Sequence, residues 1–314
     1  MWFKNLYLYK LQQAFPLSAE ELHEKLLARP FVPCLKDQRE SSGWVAPLGK
    51  QAESLVHAAN GFILLTMAHQ ERMLPSSVIK EELDERVTDI EERENRKISN
   101  REKKDMREQI EFELLPQAFT RTRQLDAWID PHDQWLVVNT SSPTQAERLT
   151  GLLRKVLDSL PVAAPETQSS PTYLMTQWLT EGVLPQPFEL GEECELRSQG
   201  DDQSVAVFKK HELLADEVKS NLATGKLVSK LMLTWDKKIS FVLTDNLQIK
   251  RLKFLDVFDE YLNEQDPQSH AEHKDVEFTL MTGEVSRLLK DLLGCLAGEE
   301  KTQGQTASST PADA

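Results

Sequence analysis

Hydrophobic positions along this chain fall mostly into short alternating runs separated by turn signals. Over residues 2–11, Trp2, Leu6 and Leu8 alternate with Phe3, Tyr7 and Tyr9, which predicts a strand. Ser18 with Glu21 three residues on is a capping box, and predicts a helix over 19–28 that closes before Pro30. The runs 54–58 and 62–67 flank Asn60-Gly61, whose backbone preference matches a tight hairpin turn. A second hairpin is predicted from 127–129 and 135–138 around Asp130-Pro131-His132-Asp133. Ser142-Pro143 opens a helix to about residue 159, with proline where its missing amide costs nothing.

One long stretch breaks this rhythm. Residues 76–123 contain no glycine and only Pro116, and are dominated by residues that lose little rotamer freedom in a helix. Ser76 is the cap expected for a first helix, and Ser99 with Glu102 is a capping box for a second. The apolar stripe is thin: Ile79, Leu83, Val87 and Ile90, then Met106, Ile110 and Leu114. Such a seam suits a helical hairpin packed on one side, a projecting arm.

Residues 161–171 predict a linker, followed by a short helix over 173–180. Strands are predicted at 193–197 and 204–209 around Gly200-Asp201-Asp202, then a helix over 215–223 ending at Gly225. Three further strands follow at 226–235, 239–244 and 247–254, a last one at 276–281, and a helix capped by Thr282 that runs to Leu296. Hairpins and helices without regular β-α-β alternation predict an α+β fold with largely antiparallel sheets and flanking helices. The divisions expected are 1–75, the arm at 76–115, a return segment 116–165, a second α+β region 166–297, and a polar tail 298–314 read as disordered.

Composition changes this picture little. The chain has 314 residues, 39% of them hydrophobic and 28% charged, as in ordinary globular proteins. No apolar run approaches the roughly 20 residues that span a bilayer. The start MWFKNLYLYK is too aromatic and polar for a signal peptide, so export is not expected. Cys34, Cys194 and Cys295 are few and widely spaced, which implies a reducing cytoplasm rather than a disulfide framework or a metal knuckle.

Charge matters more. The net value of −14 argues against a polyanion partner, but the charges are segregated. Residues 205–255 carry ten basic against five acidic side chains, whereas 256–277 carry eight acidic and one basic. On the arm, Arg93, Arg96, Lys97, Arg101, Lys103, Lys104 and Arg107 face three acids, after an acidic first helix. A positive arm tip is open to two readings, contact with a polyanion or a solvated helix pair laced by ion pairs.

The search for catalytic patterns yields weak candidates. No phosphate-cradling GxxxxGK[ST], dinucleotide GxGxxG or GxSxG elbow is present. His270 and His273 lie in a stretch read as a polar acidic loop and lack a third ligand, so they read as solvated. His57, within an apolar run, reads as a core histidine. Asp236-Lys237-Lys238, with Glu217 as a second carboxylate, could mimic the centre of a metal-dependent nuclease, although these residues also make an ordinary strand end and turn. The strand alternation places Lys226, Val228, Lys230, Met232 and Thr234 on one face. Lys250 shares a face with Gln248, Leu252 and Phe254, opposite to Ile249, Arg251 and Lys253. Lys226, Lys230 and Lys250 are therefore the lysines expected to meet phosphates, with Arg251, Lys253, Arg96, Lys97 and Arg101 as further candidates; the bland alternative is a wet outer sheet face.

The strings WFKNLYLYKL at the start, GWVAPLG at 43–49, HAANG at 57–61 and LLPQAFTR at 114–121 resemble the RdgC family of bacterial recombination-associated proteins. LLRKVLDSLPV at 152–162, GKLVSKLMLTW at 225–235, IKRLKF at 249–254 and FTLMTGE at 278–284 extend the resemblance over nearly the whole chain. The resemblance implies a cytoplasmic, nucleoid-associated homodimer of horseshoe-shaped subunits. Such a dimer closes as a ring around duplex DNA, binds it with little sequence preference, restrains the RecA recombinase, and has no enzymatic activity, cofactor or metal. It places interface contacts at Phe119 and at Lys210 and His211, where His211 departs from the glutamine expected. From the residues alone, Phe119 belongs either to its own core or to a partner. The alternatives to a DNA-binding ring are a metal-dependent nuclease and a protein-interaction adaptor acting through the arm.

Overall fold

The computed structural model describes residues 2–200, 203–255 and 269–296, apart from the His270 side chain. The fold is α+β with antiparallel sheets, and the chain divides into two compact units. One comprises residues 1–165 and 260–282, the other 166–259 and 283–314.

The first unit holds a seven-stranded sheet. Its strands are β1 (Tyr7–Leu11), β2 (Glu40–Val45), β3 (Val56–Ala59), β4 (Phe62–Arg72), β5 (Thr120–Asp130), β6 (Trp135–Val138) and β7 (Val162–Ala163). The order is β2-β4-β5-β6-β1-β7, with β3 also paired to β4. Two helices, α1 (Ala19–Leu26) and α4 (Pro143–Leu157), lay Leu22, Leu26, Leu149, Leu152, Leu153 and Val156 against Ile63, Leu65, Met67, Ile129 and Leu136. Burying each such side chain contributes about 1.5–3 kcal/mol. The capping box predicted at Ser18 is formed, Ser18 accepting from the Glu21 amide while Glu21 accepts from Ser18. The first strand is shorter than its alternation suggested, beginning at Tyr7, although Phe3 and Leu6 are fully buried.

Gly43 explains part of the GWVAPLG string. A Cβ there would stand 2.4 Å from the Phe31 Cα and 2.5 Å from the Pro30 carbonyl oxygen, so only glycine lets the 29–31 segment cross β2. That crossing is fixed by hydrogen bonds from the Trp44 amide to the Arg29 carbonyl and from the Phe31 amide to the Trp44 carbonyl, at 3.0 and 2.9 Å.

The helical hairpin forms as α2 (Ser76–Glu94) and α3 (Asn100–Leu114), with Ile79, Ile98 and Ile110 buried along its seam. The Ser99–Glu102 capping box opens α3. Ser76 is not a cap: Pro75 occupies that position, without a side-chain bond, and Ser76 is already helical.

The second unit holds β8 (Phe188–Arg197), β9 (Val205–Lys209), β10 (Leu227–Trp235), β11 (Ile239–Thr244) and β12 (Ile249–Phe254), in the order β12-β11-β10-β8-β9. Helices α5 (Pro171–Glu181) and α6 (Asp216–Ala223) belong to it. The Thr176 hydroxyl on α5 accepts from the Val228 amide at 2.9 Å, pinning α5 to β10. Gly225 follows α6 at φ +87°, as its position after the helix predicted.

The last helix, α7 (His270–Leu296), corrects the predicted strand at 276–281. Val276, Phe278 and Thr279 favour strands locally, but Phe278, Met281, Val285, Leu288, Leu292 and Leu296 recur at helical spacing and are all buried. Burial along that stripe outweighs a propensity difference of well under 1 kcal/mol per residue. His273 consequently lies on a helix rather than in a loop, with Nε2 3.6 Å from the Glu277 carboxylate one turn on. His57 is satisfied as predicted, its Nε2 2.7 Å from the Asp275 carboxylate. The predicted tail at 298–314 and most of the acidic segment after β12 lie outside the described residues, as does the His270 side chain.

Candidate nucleic-acid interface

Two bulges in the second unit's sheet decide which cations share a face. Between β10 and β8, Val228 pairs with Leu196 but Lys230 pairs with Glu195, so Ser229 is an extra residue on β10. An inserted residue breaks the two-residue alternation. Val228 turns inward, fully buried, while Lys230 turns outward. The expected single face of Lys226, Val228 and Lys230 is thereby split. Lys226 instead donates from Nζ to the Asn221 side-chain oxygen at 2.7 Å.

The second bulge lies at Arg251, whose φ is +52°. Val242 pairs with Lys250 and Ser240 with Lys253, so one residue of β11, Phe241, faces two of β12, Arg251 and Leu252. Ile249 and Leu252 are therefore both buried, and Lys250, Arg251 and Lys253 are all on the solvent side. The reading that put Arg251 and Lys253 opposite Lys250 is corrected by this one inserted residue. Register then aligns Lys230 with Thr244, Met232 with Val242 and Lys250, and Thr234 with Ser240 and Lys253.

The same face carries acids that consume part of this charge. Glu195 takes an ion pair from Lys230, a second from Arg197 at 2.8 Å, and a hydrogen bond from the Ser229 hydroxyl. Arg251 closes an ion pair on Glu193, holding that carboxyl below its usual range. Lys250 and Lys253 have no ion-pair partner among the described residues, and neither does Lys209, which lies opposite Glu193 on the edge strand β9. Lys209 and Lys253 are exposed and Lys250 is partly exposed. Gly191 permits the local geometry, since a Cβ there would stand 2.5 Å from Met232 Cγ.

The arm offers less positive charge than its sequence suggests. Arg96 is clasped by Glu94 at 2.7 Å and Glu102 at 2.9 Å, and Lys97 by Glu91 at 2.7 Å. The Arg96 guanidinium and then the Ser99 amide pull the Glu102 carboxyl down to about 2. Glu91 is held low by Lys97 and by the Ile98 amide. Of the three arm candidates, Arg101 alone is exposed without an ion pair among the described residues.

The nuclease-like trio forms the β10–β11 turn. Lys238 Nζ lies 2.6 Å from the Asp236 carboxylate, Lys237 approaches Glu189 at 3.9 Å, and Glu217 is exposed in the first turn of α6. Among the described residues no three His, Cys, Asp or Glu side chains converge as metal ligands. The three cysteines are free, and burial pushes the Cys194 thiol up to about 11. No helix among the described residues is long and apolar enough to cross a membrane.

Phe119 does not belong to the core of its own chain: the residue is 85% exposed. Lys210 is exposed, in a left-handed conformation at φ +50°. His211 stacks edge-on against Phe208 at 5.4 Å, and its Nδ1 donates to the Glu212 carbonyl at 2.9 Å. Sequence reasoning missed Lys209 and the countercharges Glu193 and Glu195, although the i, i+2 spacing of those two acids on a strand marks them as sharing a face.

Comparison with known proteins agrees with the resemblance carried by the sequence. A family model described as "Putative exonuclease, RdgC" matches residues 1–299. The recombination-associated protein RdgC of Aeromonas hydrophila is 41% identical over 302 residues, covering 96% of this chain and all of the relative. The proteins of the same name from Tolumonas auensis and Colwellia psychrerythraea are 39% and 41% identical, covering 96% and 93% of this chain. The chain therefore belongs to the RdgC family of recombination-associated proteins.

Proposed function

We propose that this chain binds double-stranded DNA without sequence preference, and acts as a homodimer whose horseshoe-shaped subunits close into a ring. On this reading it is cytoplasmic and nucleoid-associated, restrains RecA-dependent recombination, and is not an enzyme. The observation that carries the reading is the outer sheet face on which Lys230, Lys250 and Lys253 are aligned, the last two without a carboxylate partner among the described residues. Lysines on a sheet contact phosphates as point charges and carry no base readout. Countercharges from Glu193 and Glu195 keep the face from gripping DNA as strongly as its lysine count would suggest.

A second reading, an exonuclease, is favoured by the description attached to the family model. Gel retardation of linear and closed circular duplex, with and without Mg²⁺, separates the two. Retardation of either duplex with intact ends supports the binding role. Release of mononucleotides that requires Mg²⁺ overturns it.

A further inference from the structure

Three donors converge on the Glu195 carboxylate from two strands. The Ser229 hydroxyl and the Arg197 Nε both donate to Oε1 at 2.8 Å, and the Lys230 ammonium donates to Oε2. Both carboxylate oxygens are therefore served, and the side chain keeps only 12% of its surface in solvent. Burial alone would raise this carboxyl, but the bonds from Lys230, Ser229 and Arg197 hold it below its ordinary value, so it is ionised at neutral pH.

The bulge on β10 builds this convergence. In a regular strand, neighbouring side chains point to opposite faces, so Ser229 and Lys230 could not both reach one carboxylate. The inserted Ser229 lets them do so. Its buried hydroxyl also donates to the Glu195 backbone carbonyl at 3.2 Å, which ties the bulge to β8. Arg197, two residues beyond Glu195 on the same strand, reaches the carboxylate along the same face.

A hydroxyl, an ammonium and a guanidinium gathered around two anionic oxygens make a donor set that also suits a phosphodiester, whose two unesterified oxygens share one negative charge. We infer that Ser229, Lys230 and Arg197 form a phosphate site that the chain fills with its own Glu195, so that this carboxylate limits the hold of the lysine face on DNA. The inference rests on the DNA-binding reading above. Arg197 is exposed and Lys230 partly so, which leaves both within reach of a ligand from solvent. Lys230 lies on the same sheet face as Lys250 and Lys253, so the filled site continues their track. Glu195 thereby withholds two cations from a duplex.

The test compares the salt dependence of duplex affinity among full-length variants, read by fluorescence anisotropy of a labelled duplex. Glu195→Gln keeps the side-chain shape and an acceptor for Ser229 but removes the charge. It should release two cations per subunit, or four in the proposed dimer. Affinity at 50 mM salt should rise about 10-fold or more, and the slope of log affinity against log salt should steepen by up to about 3.6. Lys230→Gln should then flatten the slope by about 1.8 in the Glu195→Gln background, and by less than half that with Glu195 in place. A merely structural Glu195 predicts a lower melting midpoint with no gain in affinity, and that result would overturn the inference. So would an equal effect of Lys230→Gln in both backgrounds, because Lys230 would then meet phosphate with Glu195 still present. Should Glu195→Gln not fold, Glu195→Asp decides: one methylene shorter, it cannot keep all three donors, and an unchanged slope overturns the inference. The two readings fail separately. An unchanged slope in the Lys250→Gln, Lys253→Gln variant removes the DNA-binding face itself. A flattened slope there, with no steepening in Glu195→Gln, removes only the filled phosphate site.

Discussion

Lys250 and Lys253 offer the sharpest test of the proposed DNA-binding face, because the bulge at Arg251 places them on the side of Lys230 and no carboxylate among the described residues pairs with them. On the proposed function, replacing both with Gln removes two phosphate contacts per subunit, or four in a dimer. Each contact contributes about −0.9 to the slope of log affinity against log salt, so the slope should flatten by roughly 3.6. Over a fourfold rise in salt, from 50 to 200 mM, that difference amounts to about two decades of affinity. Wild type should therefore lose roughly a hundredfold more binding across this range than the variant does. The assay is fluorescence anisotropy of a labelled duplex at four salt concentrations, repeated on a duplex of shuffled sequence. Lys97→Gln is the internal control, since Glu91 already pairs with Lys97 at 2.7 Å. A variant with native circular dichroism and an unchanged slope would refute the assignment. So would a Lys97→Gln effect as large as that of the Lys250/Lys253 pair.

Two other outcomes follow from the first unit. Gly43→Ala should destabilise by about 1–3 kcal/mol, as overpacking does, because its Cβ would press on the Phe31 and Pro30 backbone; an unchanged melting midpoint would refute the close crossing. At Asp126, burial pushes the carboxyl above its ordinary 3.8, opposed by a hydrogen bond from the Thr66 hydroxyl at 2.7 Å. The folded chain then holds this proton more firmly than the unfolded chain, so stability is lost as pH rises from 3.8 through the raised value. Asp126→Asn, which can keep the Thr66 bond, should melt higher than wild type at pH 7 and show a shrinking advantage towards pH 3.5. An equal or lower midpoint at pH 7 would show that ionised Asp126 is not a burden.

Local signals made much of the architecture legible. The Ser18 and Ser99 capping boxes, Asn60-Gly61 and Ser142-Pro143 each act within a few residues of themselves, and each produced the turn or helix start it predicts. Alternation likewise located β10, β11 and β12 nearly to the residue. It failed where a longer-range demand overruled a local one. Residues 276–281 look like a strand until the stripe from Phe278 to Leu296 is read at helical spacing, and that stripe is decided by what it packs against.

The candidate site divides in the same way. Sequence by itself determined that cations concentrate between residues 205 and 255, and that Phe119 is an isolated aromatic among polar neighbours. It could not determine which cations stand together, because single inserted residues at Ser229 and Arg251 reverse the alternation and leave no mark in composition. Nor could it show which cations remain available. Glu195, Glu193, Glu91 and Glu102 are brought to their partners by strand pairing and by the α2–α3 turn, and only those folded distances separate Lys250 and Lys253, unpaired among the described residues, from the neutralised Lys230 and Arg96. Phe119 is exposed for the same kind of reason. Its backbone is held by the Met73 amide, which donates to the Phe119 carbonyl at 2.7 Å, a contact that exists only once β4 and β5 are paired.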